Sequence, residues 1–245
     1  MLLKLNDIGK IYEAKKLYTI GIRHINLEFN LNEFVTIEGE SGSGKSTLLN
    51  VIGATDTYEE GELYFNDCET SHYSVSEWDK FREENIATVF QDFNIIENLT
   101  VLENVEIALL RFENLKERKA KAKELIEKVG LLKQINQKAS KLSGGEKQRT
   151  VIARALAKDA PIILADEPTG NLDQKSSYEI AHLLKEVSKD KLIIVVTHNP
   201  EFFEKERTRQ IVLKDGSVIE DNNYLDKKEN NETLLTVKEI KETIE

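Results

Sequence analysis

Two segments of the chain have the residue types and spacing to hold a phosphorylated ligand. In Lys141-Leu142-Ser143-Gly144-Gly145-Glu146-Lys147-Gln148-Arg149, a hydroxyl and two residues without side chains stand where a helix is predicted to start. A helix start has unpaired N–H groups and the positive end of the dipole, so it favours an anion. Ser143 and Glu146 also have capping-box spacing, which fits a helix beginning there. Well upstream, Gly39-Glu40-Ser41-Gly42-Ser43-Gly44-Lys45-Ser46 fills every fixed position of G-x-x-x-x-G-K-[ST]. It lies between the apolar run Phe34-Val35-Thr36-Ile37 and the helix-like Ser46-Thr47-Leu48-Leu49-Asn50-Val51-Ile52, the strand–loop–helix context this motif requires. The glycines let the backbone curl so that successive N–H groups point inward at phosphates. Lys45 is expected to reach the β/γ-phosphates, and the Ser46 hydroxyl to ligate Mg²⁺.

A third segment, Pro161-Ile162-Ile163-Leu164-Ala165-Asp166-Glu167-Pro168, reads as a buried strand of a parallel sheet with two carboxylates at its end. Open α/β sheets place their ligands at the carboxyl ends of strands. Asp166 is suited to hold Mg²⁺ through its water shell, and Glu167 to act as general base or to position the attacking water. An Asp-Glu pair alone would more often be a cap or a solvated turn; the two phosphate loops give it its weight.

Taken together these residues resemble the ATP-binding cassette (ABC) ATPases, with a Walker A motif at 39–46, a signature at 142–146 and a Walker B motif at 162–167. The resemblance implies ATP and Mg²⁺ as cofactors and assigns further roles. Gln91, after Ile86-Ala87-Thr88-Val89-Phe90, matches the Q-loop glutamine that senses the metal and the attacking water, joining Ser46 and Asp166 as a metal candidate. His198, after Leu192-Ile193-Ile194-Val195-Val196-Thr197, matches the switch histidine, which makes Glu167, His198 and Gln91 the catalytic set. Asn171-Leu172-Asp173 matches the D-loop. Thr47 joins residues 39–46 at the nucleotide, and Tyr12 matches the aromatic that stacks on adenine, with Tyr18 a nearby competitor. The family usually has Gly-Glu ahead of the Walker A strand, whereas this chain has Asn32-Glu33; asparagine tolerates the left-handed conformation that such a turn uses. His24, His72 and His182 read as structural or surface residues.

The implied fold is α/β: a P-loop NTPase core with an antiparallel β subdomain and an inserted helical subdomain. Residues 1–220 are expected to form one ATPase domain, with the helical subdomain at about 92–143 and a charged tail at 221–245. Leu3-Lys4-Leu5, Ile25-Asn26-Leu27-Glu28-Phe29 and Glu62-Leu63-Tyr64-Phe65 supply the β part, the first two alternating like exposed antiparallel strands. Thr100 and Glu103 make a capping box that opens Val101–Val105 as a helix. Leu115 to Val129 is charged with an apolar stripe, and Gly130 supplies its C-cap. Residues 211–219 read as a hairpin turning at Asp215-Gly216, and Thr236 with Glu239 has the spacing to open a short helix in the tail.

A chain of 245 residues buries one α/β core and a small accessory lobe. A single cysteine, Cys68, excludes a disulfide framework and a zinc cluster and points to a reducing compartment. No apolar run has bilayer-spanning length, and the amino terminus has no signal-peptide core. The expectation is a cytoplasmic protein held at the inner face of the cell membrane through a permease. The net charge of −10 argues against a general nucleic-acid surface, so no nucleic-acid partner is expected.

The resemblance implies a head-to-tail dimer in which Walker A of one copy and Ser143, Gly144, Gly145 and Glu146 of a second copy sandwich each ATP, with Asp173 close by. The implied partners are that second copy and an integral membrane permease. Val89-Phe90-Gln91-Asp92-Phe93-Asn94 and Ala165-Asp166-Glu167-Pro168-Thr169-Gly170-Asn171-Leu172-Asp173 look like the MacB/LolD-like group of macrolide and peptide exporters, lipoprotein-release ATPases and antimicrobial-peptide resistance systems. An amino-acid-type importer ATPase is the main alternative. DNA-repair ATPases and translation factors belong to a different class: the former separate their motifs by long arms, the latter carry two cassettes. The permease contact is expected around Phe90–Asn104, with Phe93, Ile95 and Ile96 as candidate contacts.

Overall fold

The computed structural model describes residues 1–14 and 17–224, in two sheets and six α-helices. The tail beyond Tyr224, including the Thr236–Glu239 pair, lies outside the described residues. Strands and helices are numbered along the chain. β1 (Leu3–Ala14), β2 (Leu17–Phe29), β4 (Glu60–Phe65) and β5 (Cys68–Glu69) form an antiparallel sheet in the order β2-β1-β4-β5. The alternation at Leu3–Leu5 and Ile25–Phe29 marks only the far ends of β1 and β2. Toward their turn the register shifts between Leu5 and Ile8, and twice more before Ile11, so the period of two breaks down and the sequence signal with it. Nor are these strands exposed on both faces: Leu3, Leu5, Ile25, Leu27 and Phe29 are buried.

The second sheet contains β3 (Phe34–Glu38), β6 (Ile86–Val89), β7 (Ile162–Asp166), β8 (Leu192–Val196), β9 (Arg209–Lys214) and β10 (Ser217–Asn223), in the order β10-β9-β3-β8-β7-β6. All but the β9–β10 pair run parallel. Its central strands are mostly apolar because both faces are covered, with Thr36 and Glu38 of β3 the buried polar exceptions. Phe34, Val89, Ile163, Ala165, Ile193 and Val195 pack with one layer of helices, α3 (Val101–Ile107), α4 (Leu115–Lys128), α5 (Gly144–Ala157) and α6 (Gln174–Val187). The alternate residues Val35, Ile37, Ile162, Leu164, Ile194 and Val196 pack with α1 (Lys45–Ile52) and the antiparallel sheet.

The expected capping boxes form at Thr100 and Ser143. A third, Ser74 with Glu77, opens α2 (Val75–Asn85), an element whose apolar pattern is too thin to read because only Phe81 is buried. Gly130 lies one residue past the α4 cap at φ 74°. The β9–β10 hairpin turns at Asp215 and Gly216, with φ of 48° and 76°, as a two-residue turn of this hand requires. Asn32, in the place of the usual glycine, takes φ 67°. β10 continues to Asn223, past the change of composition at 221.

Arg209 ties the two sheets together. Its Nε and Nη2 donate to both carboxylate oxygens of Asp221 at 2.7 Å, and Nη1 donates to Glu33 at 3.1 Å and to the Glu28 carbonyl at the end of β2. Arg209 and Glu33 are both buried. Removing one partner of a buried ion pair strands the other charge. Arg209→Met is therefore expected to lower unfolding free energy by about 3–5 kcal/mol, read from urea denaturation.

Candidate functional site

Every strand of the parallel sheet that precedes a candidate residue ends on the same edge. β3 leads into the loop 39–46, β6 into Gln91, β7 into Asp166 and Glu167, and β8 into His198. A cleft of about 500 Å³ on that edge is lined by Tyr12, Ser41, Gly42, Gly44, Lys45, Ser46, Thr47, Gln91, Asp166, Glu167 and His198. A cavity of about 550 Å³ behind α1 is slightly larger but contains none of these residues. Convergent chemistry, not volume, marks the candidate site.

The loop is built for a phosphate. Gly39, Gly42 and Gly44 have φ of 150°, 81° and 100°. A Cβ on Gly44 would collide with the Gly21 carbonyl, whereas at Gly42 it would meet nothing within 4 Å, which leaves room for a ligand against the backbone. Gly44 caps α1 without a side-chain hydrogen bond, so the first N–H groups of that helix are left for an anion. The Lys45 ammonium donates to the Gly39 and Glu40 carbonyls at 2.8 Å and holds the loop curled. From behind, the Gly216 N–H donates to the Ser43 carbonyl at 3.1 Å. Gly39, Glu40 and Ser43 face that rear side, where they line a small hollow with the β9–β10 hairpin.

Glu167 follows β7 with φ 47°, a left-handed conformation that a non-glycine residue adopts only when its surroundings impose it. Its N–H donates to the Val196 carbonyl at 2.9 Å. One carboxylate oxygen is 2.7 Å from His198 Nδ1, and the other accepts the His198 backbone N–H at 3.3 Å. Beside it, Asp166 has its carboxyl pushed above the usual range by burial and by the Glu167 charge, with Lys45 opposing. A cation at this point relieves both penalties. Ser46 and Asp166 supply a hydroxyl and a carboxylate, and Mg²⁺ binds through one or two carboxylates with phosphate and water completing its shell, so the donor set fits that metal.

Tyr12 lines the cleft, and its hydroxyl donates to Asp56 at 2.9 Å and lies 3.4 Å from the Thr47 hydroxyl. Lys10 pairs with Asp56 at 3.1 Å and lies 5.3 Å from the Tyr12 ring centre. Tyr18 is outside the cleft lining and donates to Glu13 at 3.3 Å. Lys10 and Asp56, which hold the Tyr12 ring, carry no sequence signal: Asp56 is distant in the chain, and the register shift between Lys10 and Ile11 removes the period that would link Lys10 to Tyr12.

Ser143, Gly144, Gly145, Glu146 and Asp173 do not line this cleft. Ser143 caps α5: Glu146 accepts its N–H at 2.8 Å and its hydroxyl at 2.9 Å. Ser143, Gly145 and Glu146 border a separate hollow with Gln134, Arg149 and Ser176. Asp173 caps α6, and its bonds from Ser176 hold its carboxyl below the usual range. The two helix starts singled out in the sequence thus lie at two different places in the chain.

Comparisons with known proteins agree with this geometry. Residues 22–170 match the family model described as ABC transporter. Over 221 residues the chain is 42% identical to the ABC transporter ATP-binding protein MJ1508 of Methanocaldococcus jannaschii, covering 89% of this chain and 98% of that protein. It is 39% identical over 222 residues to the macrolide export ATP-binding/permease protein MacB of Marinobacter nauticus, covering 90% of this chain and 34% of MacB. Among solved structures it resembles the dimeric post-hydrolysis state of the ATP-binding cassette MJ0796 of M. jannaschii bound to ADP and Pi. That likeness has a TM-score of 0.80 at 40% identity and covers 91% of this chain and 99% of the other.

The upward shift of Asp166 gives a testable sign. A carboxyl whose pKa is raised on folding destabilises the folded protein as pH rises through the interval between the ordinary and the raised value. Asp166→Asn removes that cost. In thermal melts without nucleotide the variant is expected to gain on the native protein as pH increases through that interval, with a constant advantage above it. Its Mg²⁺-dependent ATPase activity should fall.

Proposed function

Because the chain belongs to the ABC transporter family, we propose that it is the ATP-hydrolysing motor subunit of a transporter and works as a head-to-tail pair around two nucleotides. The observation that carries this reading is the separation of the P-loop cleft from the Ser143 helix start within one chain. A single γ-phosphate cannot meet both, but two copies related by a two-fold axis bring each P-loop against the other's signature. The MJ0796 relative, dimeric with ADP and Pi, supports it. In this reading Tyr12 stacks on adenine, and residues 39–47 enclose the phosphates. Ser46, Asp166 and Gln91 would hold Mg²⁺, which would supply charge neutralisation at the phosphates. Glu167 orients and deprotonates the attacking water, His198 contacts the γ-phosphate, and the partner copy contributes Ser143–Glu146 and Asp173. Such chemistry rests on positioning and charge stabilisation.

Among the described residues no helix is long and apolar enough to cross a membrane. We place the subunit on the cytoplasmic face, bound through a permease. In this reading the ATPase unit extends through β10 to Asn223, beyond the expected bound at 220, with residues at about 92–143 as its helical subdomain. The groove between the β6 end, α3 and α5 suits the permease: Phe90 and Leu110 are 46% and 64% exposed there. Phe93 and Ile95 pack partly against the helical core, which leaves Ile96, 47% exposed, as the freer of the three expected contacts. Similarity to MacB favours an export or extraction system over an importer.

Glu167→Gln keeps the side chain's size and removes its charge. It is expected to bind MgATP, to lose hydrolysis by about 10²-fold or more, and to sediment as a dimer with MgATP and a monomer without it. Used as bait on solubilised membranes, the closed form should recover a permease with a large extracytoplasmic domain. Normal turnover, or recovery of an importer with its solute-binding protein, would contradict the respective half of the proposal.

A further inference from the structure

Gln148 lies in the middle of α5 with no exposed surface, and neither its amide nitrogen nor its amide oxygen has a hydrogen-bond partner. A buried polar side chain in that condition bears the full cost of leaving water. A methionine of similar length would fill the same space without that cost. Gln148 is one helical turn beyond Gly144, so the two share a face. A Cβ on Gly144 would stand 3.1 Å from Leu172, 3.5 Å from the Asn171 carbonyl and 3.9 Å from the tip of the Phe93 ring. Further along the same stripe, Val151 borders the groove beside Phe93, and Arg154 donates to the Asn94 carbonyl. Gln148 therefore faces the junction of two loops, 91–94 and 169–172.

That junction carries two further departures from a settled structure. Thr169 is 3% exposed, and its hydroxyl has no partner either. Phe93 and Asn94 have φ of 50° and 46°, two consecutive non-glycine residues in the left-handed region. The 169–172 loop touches Gln91, the first residue of the other loop: Asn171 donates to its carbonyl at 3.2 Å, and a Cβ on Gly170 would lie 3.0 Å from its amide nitrogen.

We propose that Gln148 is a positioning residue for ATP hydrolysis. Its amide hydrogen-bonds the backbone of the Gln91–Asn94 segment in a second arrangement of that segment, one in which Phe93 and Asn94 leave the left-handed region and Thr169 also finds a partner. Nucleotide binding at Gln91 selects that arrangement, because it alone satisfies these groups. Gln148 thereby fixes the signature helix to the loop that reads the nucleotide, without touching the nucleotide itself. The inference rests on the ATPase reading above.

The test uses the full chain with Gln148→Met, and Thr169→Val as a second variant should the first fail to fold. Without nucleotide, Gln148→Met is expected to melt no lower than the native protein. Its KM for ATP should stay within about twofold while kcat falls at least about tenfold, the signature of an interaction made after binding. In the native protein, MgATP should slow hydrogen exchange at residues 92–94; in the variant it should not. An unchanged kcat, or a fall in kcat that tracks a lower melting temperature, would overturn the proposal. A native chain with no ATPase activity would instead sink the reading on which it rests, a result distinct from an active native chain with an unimpaired variant.

Discussion

The contact on which the rest of the site depends is the one Lys45 makes with its own loop. Its ammonium holds the Gly39 and Glu40 carbonyls at 2.8 Å and so keeps the loop curled. Three glycines at positive φ make the curl possible, and Gly44 leaves the start of α1 without a side-chain cap. A loop so arranged is held by the Lys45 contacts, by the Gly216 N–H behind it, and by the strand before it and the helix after it. The parallel sheet supplies both: β3 is flanked by β8 and β9, so the loop, His198 and the β9–β10 hairpin are positioned by neighbouring strands of one buried layer.

The same edge concentrates features that weaken the fold. Asp166 and Glu167 set two carboxylates side by side, one half-buried, and Glu167 sits in a left-handed conformation pinned by Val196 and His198. Gln148 and Thr169 leave polar atoms unpaired in the interior. Asp166 and Glu167 line the cleft with Lys45, and Gln148 and Thr169 lie outside its lining, while the apolar faces of β3, β7 and β8 and the Arg209 cluster provide the stability that tolerates them. Strain at a site and order around it are what a ligand-driven switch requires.

The edge that gathers the candidate residues was legible in the sequence because each part combines a short-range motif with a buried strand. The loop after Phe34–Ile37, the carboxylates after Ile162–Ala165 and the histidine after Leu192–Val196 all announce themselves by an apolar run that stops abruptly. Ser143, Thr100 and Asp215-Gly216 were legible for a similar reason: caps and tight turns are decided by residues three or fewer apart. What escaped depends on distant neighbours. β1 and β2 run far beyond their alternating ends because bulges break the period, and α2 shows one buried residue. The Lys10–Asp56–Tyr12 arrangement and the isolation of Gln148 exist only once separate segments are folded together.

Two half-sites in one chain are the central claim, and subunit mixing tests it most directly. Lys45→Ala disables the P-loop half and Ser143→Arg the signature half, so either variant alone should hydrolyse almost no ATP. Mixed one to one, random pairing makes half the dimers hybrids, each with one intact composite site, and about a quarter of native activity should return. Two inactive variants that stay inactive when mixed, or a Ser143→Arg variant that is fully active alone, would contradict a site completed by a second copy.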